Sequence, residues 1–298
     1  MRCRMTSKVL RAVALLLLHS LWLGTSQAAD PDGLKFDLEI SKQTTIYYSE
    51  GERVPAGYTV DRTLADYAIG LSSGFAYALA GLGPMDRWLD IGAGKGQAIL
   101  DYYAPAYDPA GADERAKRGG KAQAVALSIE DRTTPQWRET AAKLAPNQLR
   151  YLSGKRLREY AQEELGRFQL ITDVIGGFSY STDLGLFVER ALSLLELNGS
   201  FYTLLQDVRA ADGANQPFYK GAPFLIEIMD AKGSEVRVCS WLKSITCVEV
   251  TCTFNTGWKP PVEAYGIRKI CNEVKVPALV PTQYEAGTPP QRRFQLKN

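Results

Sequence analysis

The chain has 298 residues, of which 45% are hydrophobic and 23% are charged, and these proportions are typical of a globular protein. Four of its 35 basic residues lie in the first 11 positions, so the rest of the chain carries 31 bases against 33 acids and gives no indication of a nucleic-acid partner. The single histidine, His19, also lies near the N-terminus. Beyond it, the composition excludes a serine–histidine–aspartate triad and any zinc site with histidine ligands.

The first 29 residues are predicted to be a secretory signal peptide. A basic stretch without acids precedes the apolar run 12–24, and small residues allow cleavage after Ala28 or Ala29. The apolar run is shorter than the roughly 20 residues that a membrane span needs, so we expect no transmembrane span after cleavage. An uncleaved anchor and a transit peptide are the alternatives. The leader predicts a secreted or periplasmic protein, and a cytoplasmic one if the leader is not functional.

Residues 30–84 are predicted to form an N-terminal cap. Thr63 and Asp66 have the spacing of a capping box, which predicts the start of a buried helix over 64–83. The polar stretch before it contains two adjacent tyrosines, Tyr47 and Tyr48. On a strand, neighbouring side chains point to opposite faces, so at most one of them can face a ligand.

From residue 85 onward, apolar strand-like segments alternate with helical segments. The strand-like segments are 86–91, 122–129, 148–153, 168–177 and 200–208. The helical segments are 97–103, 135–145, 158–166 and 184–197. Apolar strands that alternate with helices are typical of a parallel sheet covered on both faces.

The last strand-like segments follow a different pattern. Residues 248–254 alternate apolar and polar side chains, which predicts an antiparallel strand near the edge of the sheet, and 262–271 can pair with it. We therefore predict an α/β fold over 85–275: a doubly wound, mostly parallel, seven-stranded sheet with an antiparallel C-terminal edge, beside the N-terminal helical cap. The proline-rich tail, 276–298, is predicted to be irregular.

The four cysteines beyond the leader all lie late in the chain, at Cys239, Cys247, Cys252 and Cys271. None of their gaps is a C-x-x-C spacing, so we expect no zinc site built from thiolates and predict no metal site. In an exported protein an even set of four suggests two disulfides, with three possible connectivities. Four buried thiols are the alternative.

The segment RWLDIGAGKGQAIL, residues 87–100, places three alternate glycines directly after an apolar strand. It lacks the G-x-x-x-x-G-K-[ST] pattern of a P-loop, and Gln97 stands where a dinucleotide-binding loop needs a third glycine or an alanine. Another pattern, acid-x-G-x-G-x-G, is matched by Asp90, Gly92, Gly94 and Gly96. Glycines let the backbone lie against a ligand, and a nearby acid can bind a cationic amino-acid group. A turn that serves only strand–helix packing is the alternative.

Two segments make the chain resemble the class I S-adenosylmethionine-dependent methyltransferases, over roughly residues 85–208. One is LDIGAGKG. The other, FQLITDVIGGFSYSTDLGLFVERALSLLELNGSFYTLL, is similar to the family's fourth strand, its loop, and the helix that precedes the fifth strand. The resemblance implies a methyltransferase-like domain over 85–275 with S-adenosyl-L-methionine as the methyl donor.

The resemblance also implies where this donor binds. Its methionine part would be wrapped by Gly92, Ala93, Gly94 and Gly96. Asp90 would bind near its amino group, and Ser128 and Glu130 stand where the family places an acid for the ribose hydroxyls. Asp173 and its loop would lie beside the sulfonium. Where the family often has an aspartate for the adenine amino group, this chain has Lys155, which cannot accept that hydrogen bond.

The activity implied is methyl transfer to an unidentified acceptor. Holding two reactants in line can supply about 7–11 kcal/mol, so the lack of a histidine is no objection. If the acceptor must lose a proton, the candidate bases are Asp173, Tyr180 and Asp207. The near-neutral charge favours a small-molecule acceptor. The alternatives are an exported, non-catalytic binding protein that keeps this fold, and a nicotinamide oxidoreductase.

Overall fold

The structure is a computed structural model that describes residues 61–104, 121–208, 224–258, 260–285 and 289–297. The predicted signal peptide and the tyrosine pair Tyr47 and Tyr48 lie outside these ranges. No helix in the described part of the chain is long and apolar enough to cross a membrane. The boundaries of the signal peptide, the cap and the methyltransferase-like domain stay predictions.

The helices and strands occur in this order along the chain. The helices are α1 (Leu64–Gly70), α2 (Ser73–Gly81), α3 (Gln97–Tyr103), α4 (Pro135–Lys143), α5 (Gln162–Leu165), α6 (Gly177–Tyr180), α7 (Leu184–Ser193) and α8 (Val238–Lys243), with a 3-10 turn at Leu157–Glu159. The strands are β1 (Arg87–Ile91), β2 (Gln123–Leu127), β3 (Leu149–Leu152), β4 (Phe168–Asp173), β5 (Leu195–Gln206), β6 (Ile226–Met229), β7 (Glu235–Val236), β8 (Val248–Asn255), β9 (Val262–Lys269), β10 (Leu279–Glu285) and β11 (Gln291–Leu296).

Seven of the strands form one sheet in the order β3-β2-β1-β4-β5-β9-β8. The strands β1 to β5 pair in parallel, and β9 runs antiparallel to both β5 and β8. The predicted α/β fold, with its mostly parallel sheet and antiparallel C-terminal edge, is confirmed. The edge strand β8 alternates half-buried and exposed residues from Val248 to Thr253, as its sequence pattern predicts.

The buried hydrophobic side chains form one cluster on each face of this sheet. Alternate residues of a strand belong to different clusters, so Leu89 and Ile91 lie in one and Trp88 lies in the other. The cap helices α1 and α2 pack with α3 and α4 on the face of Trp88. The helices α7 and α8 cover the opposite face.

The cap begins as the sequence predicts, and then departs from it. Thr63 and Asp66 form the expected capping box at the start of α1. The single helix predicted over 64–83 is wrong, because Leu71 (φ −87°, ψ 169°) and Ser72 (φ −72°, ψ 160°) are extended and separate α1 from α2. Gly70 and Ser72 have low helix propensity, which favours a break at this point.

The prediction of an irregular tail over 276–298 is also wrong. Its two strands join a second sheet of four strands, in the order β10-β11-β6-β7. In β11 the buried residues Arg292 and Phe294 alternate with less buried ones, which is an ordinary strand pattern. Pro281 lies beside a register shift in the edge strand β10, where a proline does not interrupt the hydrogen bonding of a sheet interior.

The structure contains the two predicted disulfides and selects one of the three connectivities. Cys239 in α8 is bonded to Cys252 in β8, and Cys247 is bonded to Cys271. The alternative of four buried thiols is therefore wrong in this structure. Both bonds lie around the antiparallel strands β8 and β9, and they are compatible with an oxidising compartment.

Removing one of these disulfides should destabilise the fold measurably. For the double substitution Cys239→Ser and Cys252→Ser, we expect the free energy of unfolding to fall by about 2–3 kcal/mol, because the bond closes a short loop in the unfolded chain. The disulfide between Cys247 and Cys271 closes a longer loop, so the double substitution Cys247→Ser and Cys271→Ser should lower the free energy of unfolding slightly more. Urea unfolding measures both losses. Free thiols in the unreduced, denatured protein, prepared without residues 1–29, would contradict the pairing.

Candidate functional site

The glycine loop lies at the carboxyl edge of the main sheet, between β1 and α3. All three glycines have left-handed backbone, with φ of 70° at Gly92, 55° at Gly94 and 74° at Gly96. The strand order reverses between β1 and β4, and open α/β sheets bind ligands in the crevice at such a reversal. The predicted donor-binding loop therefore occupies the place where this architecture puts a ligand.

Two of the three glycines are also required by contacts within the protein. A Cβ atom at Gly92 would lie 2.7 Å from the Cα atom of Gly176, and one at Gly96 would lie 2.3 Å from the ring of Trp137. Gly96 is buried, whereas Gly92 is exposed and Gly94 is partly exposed. Strand–helix packing thus explains Gly96, while Gly92 and Gly94 present backbone that a ligand can reach.

The loop is fixed by hydrogen bonds from residues of the neighbouring strands β2 and β3. The backbone N–H groups of Gly92 and Ala93 donate to the Leu127 carbonyl at 2.9 and 3.1 Å. The Tyr151 hydroxyl, from β3, donates to the Gly94 carbonyl at 2.5 Å and lies 3.3 Å from the Glu130 carbonyl. These contacts tie the loop to the ends of β2 and β3.

Asp90 ends β1 and is completely buried. Its carboxylate accepts hydrogen bonds from the Tyr67 hydroxyl at 2.9 and 3.0 Å and from the Thr172 hydroxyl at 2.7 Å. Thr172 in turn accepts a hydrogen bond from the Trp88 indole at 2.8 Å. Burial raises the pKa of Asp90 to about 7, against the lowering effect of the bonds from Thr172 and Tyr67. Tyr67 belongs to α1, so the cap contributes directly to this site.

Asp173 ends β4, beside Asp90, and is also completely buried. Its carboxylate accepts hydrogen bonds from the backbone N–H groups of Gly176 at 3.0 Å and Phe178 at 3.2 Å. Burial raises its pKa to about 7. Ile175, which lies between Asp173 and Gly176 in this loop, has a φ of 57°, a strained value for a β-branched residue. Asp173 therefore orders the loop after β4, and its oxygens are engaged with that loop.

The other two candidate bases lie at the same edge of the sheet. Tyr180 ends α6 and is partly exposed, and Asp207 follows β5 and is partly exposed as well. The N–H group of Asp207 donates to the Pro261 carbonyl at 2.7 Å, which ties the end of β5 to the start of β9. Their assignment as bases stays a prediction.

The residues after β2 and β3 that the sequence assigns to the donor are bound to other residues of the protein. Ser128 is buried, and its N–H group donates to the Leu152 carbonyl at 3.0 Å. Glu130 is partly exposed and pairs with Arg132 at 3.2 Å. Lys155 is exposed and forms an ion pair with Glu164 at 2.8 Å. Lys155 is therefore paired with another surface residue of the protein, Glu164. The role of Glu130 stays a prediction.

No protein-family model and no curated protein sequence matches the chain. Among solved structures, the plantazolicin methyltransferase BpumL, in complex with a pentazolic desmethylPZN analog and SAH, is 11% identical with a TM-score of 0.50, over 80% of this chain and 98% of that one. An O-methyltransferase from Bacillus cereus in complex with SAH is 12% identical, with a TM-score of 0.40 over 86% of this chain and 97% of that one.

The N-methyltransferase NodS from Bradyrhizobium japonicum is 10% identical, with a TM-score of 0.40 over 66% of this chain and 93% of that one. Of these three structures, BpumL is the one on which the fold assignment rests. Its TM-score and the coverage of both chains indicate a shared fold. The chain therefore has the Rossmann-like fold of the class I S-adenosylmethionine-dependent methyltransferases.

Proposed function

We propose that the protein is an S-adenosylmethionine-dependent methyltransferase that acts on a small molecule. The observation that carries this proposal is the glycine loop: three left-handed glycines at the reversal of strand order, fixed by hydrogen bonds from β2 and β3, with Gly92 exposed. A loop that served packing alone would need glycines at Gly92 and Gly96, where an added Cβ atom would collide. It would not need the backbone of Gly92 to be exposed and that of Gly94 to be partly exposed.

The donor would lie along this open backbone. Gly92, Ala93 and Gly94 would contact its methionine part, and Asp90 would attract its ammonium group. Glu130, after β2, would bind the ribose hydroxyls, because a carboxylate accepts well from paired hydroxyls. Ser128 is buried beside Glu130 and would shape the wall of the site. When bound, the donor supplies a methyl group already activated by a positive sulfur.

The chain's own residues would then align the acceptor and remove its proton. Asp173 is engaged with backbone N–H groups, so we assign it to ordering the loop beside the sulfonium. Tyr180 and Asp207 are the remaining candidates for the base, since both lie at the same edge of the sheet. Positioning of this kind is the main contribution that methyl transfer needs from a protein.

Calorimetric titration with S-adenosylmethionine, S-adenosylhomocysteine and NAD tests the proposal. We expect heat from the first two ligands and none from NAD. In Gly94→Val, a branched side chain would fill the space of the ligand, so binding should be abolished. Gly233→Val is the matched control, because Gly233 is also left-handed, has no neighbour within 4 Å of an added Cβ atom, and lies between β6 and β7 in the second sheet. Binding of NAD alone would support an oxidoreductase instead.

A methyl-transfer assay distinguishes the proposed methyltransferase from the alternative, a non-catalytic binding protein. Lys155 favours it, since this side chain cannot accept from the adenine amino group. The two disulfides also favour a secreted or periplasmic location, where the donor must be supplied. Binding of S-adenosylhomocysteine without methyl transfer to any of a panel of small nucleophiles would support this alternative.

The proposed role of Asp90 makes donor affinity depend on pH. An ammonium group binds best to an ionised carboxylate, and the pKa of Asp90 is raised to about 7. The affinity for S-adenosylhomocysteine should therefore increase from about pH 6 to about pH 8. Tyr67→Phe removes hydrogen bonds that favour the charged form, so it should move this increase to higher pH.

Calorimetry at several pH values measures this shift. Tyr103→Phe is the control, because the Tyr103 hydroxyl donates to the Ala122 carbonyl, away from Asp90. It should leave the pH dependence as in the wild type. An affinity that does not change over this range would contradict the role given to Asp90.

A further inference from the structure

Arg292 connects the second sheet to the candidate site. It lies in β11, is 1% exposed, and is completely surrounded by protein. Its guanidinium donates to the Phe178 carbonyl at 3.1 Å, from both terminal nitrogens, and to the Ser181 carbonyl at 2.6 Å. Phe178 lies in α6, the single helical turn that follows β4, and Ser181 directly follows this turn.

The opposite end of α6 is held by Asp173. The carboxylate accepts from the N–H groups of Gly176 and Phe178, at the start of the helix. Phe178 is thus bound twice, through its N–H group to Asp173 and through its carbonyl to Arg292. A hydrogen bond from a charged guanidinium is stronger than one from a neutral donor, so Arg292 holds α6 firmly.

This arrangement, the Asp173–Arg292 clamp, fixes a strained part of the backbone. Ile175 has left-handed backbone, and such a conformation persists only where the surrounding contacts determine it. The next residue, Gly176, lies against the glycine loop, since a Cβ atom added there would be 2.6 Å from the Ile91 carbonyl and 3.1 Å from the Cα atom of Gly92. The position of α6 therefore sets the distance between the two loops that border the crevice.

Arg292 is a costly residue to keep for stability alone. Burial lowers its pKa to about 9, and its Nε atom has no hydrogen-bond partner among the described residues. Replacing Arg292 with an apolar side chain would take the donors away from the Phe178 and Ser181 carbonyls, so a loss of stability is expected whatever its role. A role in placing α6 predicts in addition a local change at the loop after β4 and a functional loss.

We propose that Arg292, which lies outside the seven-stranded sheet, is a positioning residue for the donor site: it holds α6 so that Gly176 stays against Gly92. The expected effect of Arg292 on donor binding rests on the proposed function. Its effect on the loop after β4 does not depend on that function. The second sheet is then a part of the site's framework.

Arg292→Met and Arg293→Met form a matched pair that tests this inference. Arg293 is the next residue of β11, on the opposite face, where it binds Glu227 and Gln283. In Arg292→Met, amide hydrogen exchange over 173–181 should become faster and the affinity for S-adenosylhomocysteine should fall, each by at least about tenfold. That factor corresponds to the loss of one hydrogen bond to a charged group, and the substitution removes three. Arg293→Met should change neither.

Each outcome decides the inference. Unchanged exchange in Arg292→Met, or faster exchange with unchanged affinity, would overturn it while leaving the proposed function in place. If the wild type does not bind S-adenosylhomocysteine, the proposed function fails, and the exchange rate alone decides whether Arg292 holds α6. If Arg292→Met does not fold, Arg292→Lys replaces it, because lysine keeps the charge but lacks the planar fork that reaches both carbonyls.

Discussion

Gly96→Ala should lower the free energy of unfolding by about 2–6 kcal/mol. The added Cβ atom would lie 2.3 Å from the ring of Trp137, which is 4% exposed and cannot move freely. Overpacking of this kind costs about 1–3 kcal/mol, and a left-handed φ of 74° adds a cost of similar size for a residue with a side chain. Urea unfolding of the wild type and the variant measures the loss.

Gly154→Ala separates the two causes of this loss. Gly154 has a φ of 87°, and a Cβ atom added there meets nothing within 4 Å, so this variant carries the backbone strain without the collision. The difference between the two variants is then the cost of displacing Trp137. Equal losses would show that the ring yields and that Gly96 is not a packing glycine.

Asp90→Asn should change how stability depends on pH. The pKa of Asp90 is raised by burial from its ordinary value of 3.8 to about 7. Between these values the folded state binds the proton more tightly than the unfolded state, so the contribution of Asp90 to stability is present below about pH 4 and is lost as the pH rises through about 7. One carboxyl shifted this far corresponds to about 4 kcal/mol. Between about pH 4 and about pH 7, the free energy of unfolding of the wild type should therefore fall by about 4 kcal/mol relative to that of Asp90→Asn.

The asparagine keeps the local hydrogen bonds, because the hydroxyls of Tyr67 and Thr172 can accept as well as donate. The charged groups that act on this site are Arg62, which lowers the pKa of Asp90, and Asp173, which is repelled by it. The measurement is urea unfolding at several pH values. Asp131→Asn is the control: hydrogen bonds from Thr133 lower the pKa of Asp131, so its contribution has the opposite direction. A difference between wild type and Asp90→Asn that is independent of pH would contradict the assignment.

The sequence predicts those features that are set by local pattern. The glycine loop, the alternation of strands and helices, and the alternating edge strand β8 each follow from residues that are near one another in the chain. The capping box of Thr63 is of the same kind, because its two side chains are three residues apart. Such features survive into the fold because tertiary contacts reinforce the local preference.

The contacts that complete the site have no such local signal. Tyr67 binds Asp90 across 23 residues, and Arg292 binds Phe178 across 114 residues. A helical face predicts that Tyr67 is buried, but its partner depends on how α1 packs against the sheet. The strands of the tail likewise could not be predicted from the local sequence. Pro281 suggests irregular backbone, and one of the two partners of β11 is β6, which is distant in sequence.

The position of β11 has a practical consequence for anyone who shortens this chain. Although it is the last strand, it is an interior one, with β10 on one side and β6 on the other. Trimming the protein after residue 285 would strip β10 of its partner and leave β6 and β7 as an isolated hairpin, which is at best marginally stable in water. An affinity tag should therefore leave β11 intact, and truncation screens that remove this strand would select against the folded protein.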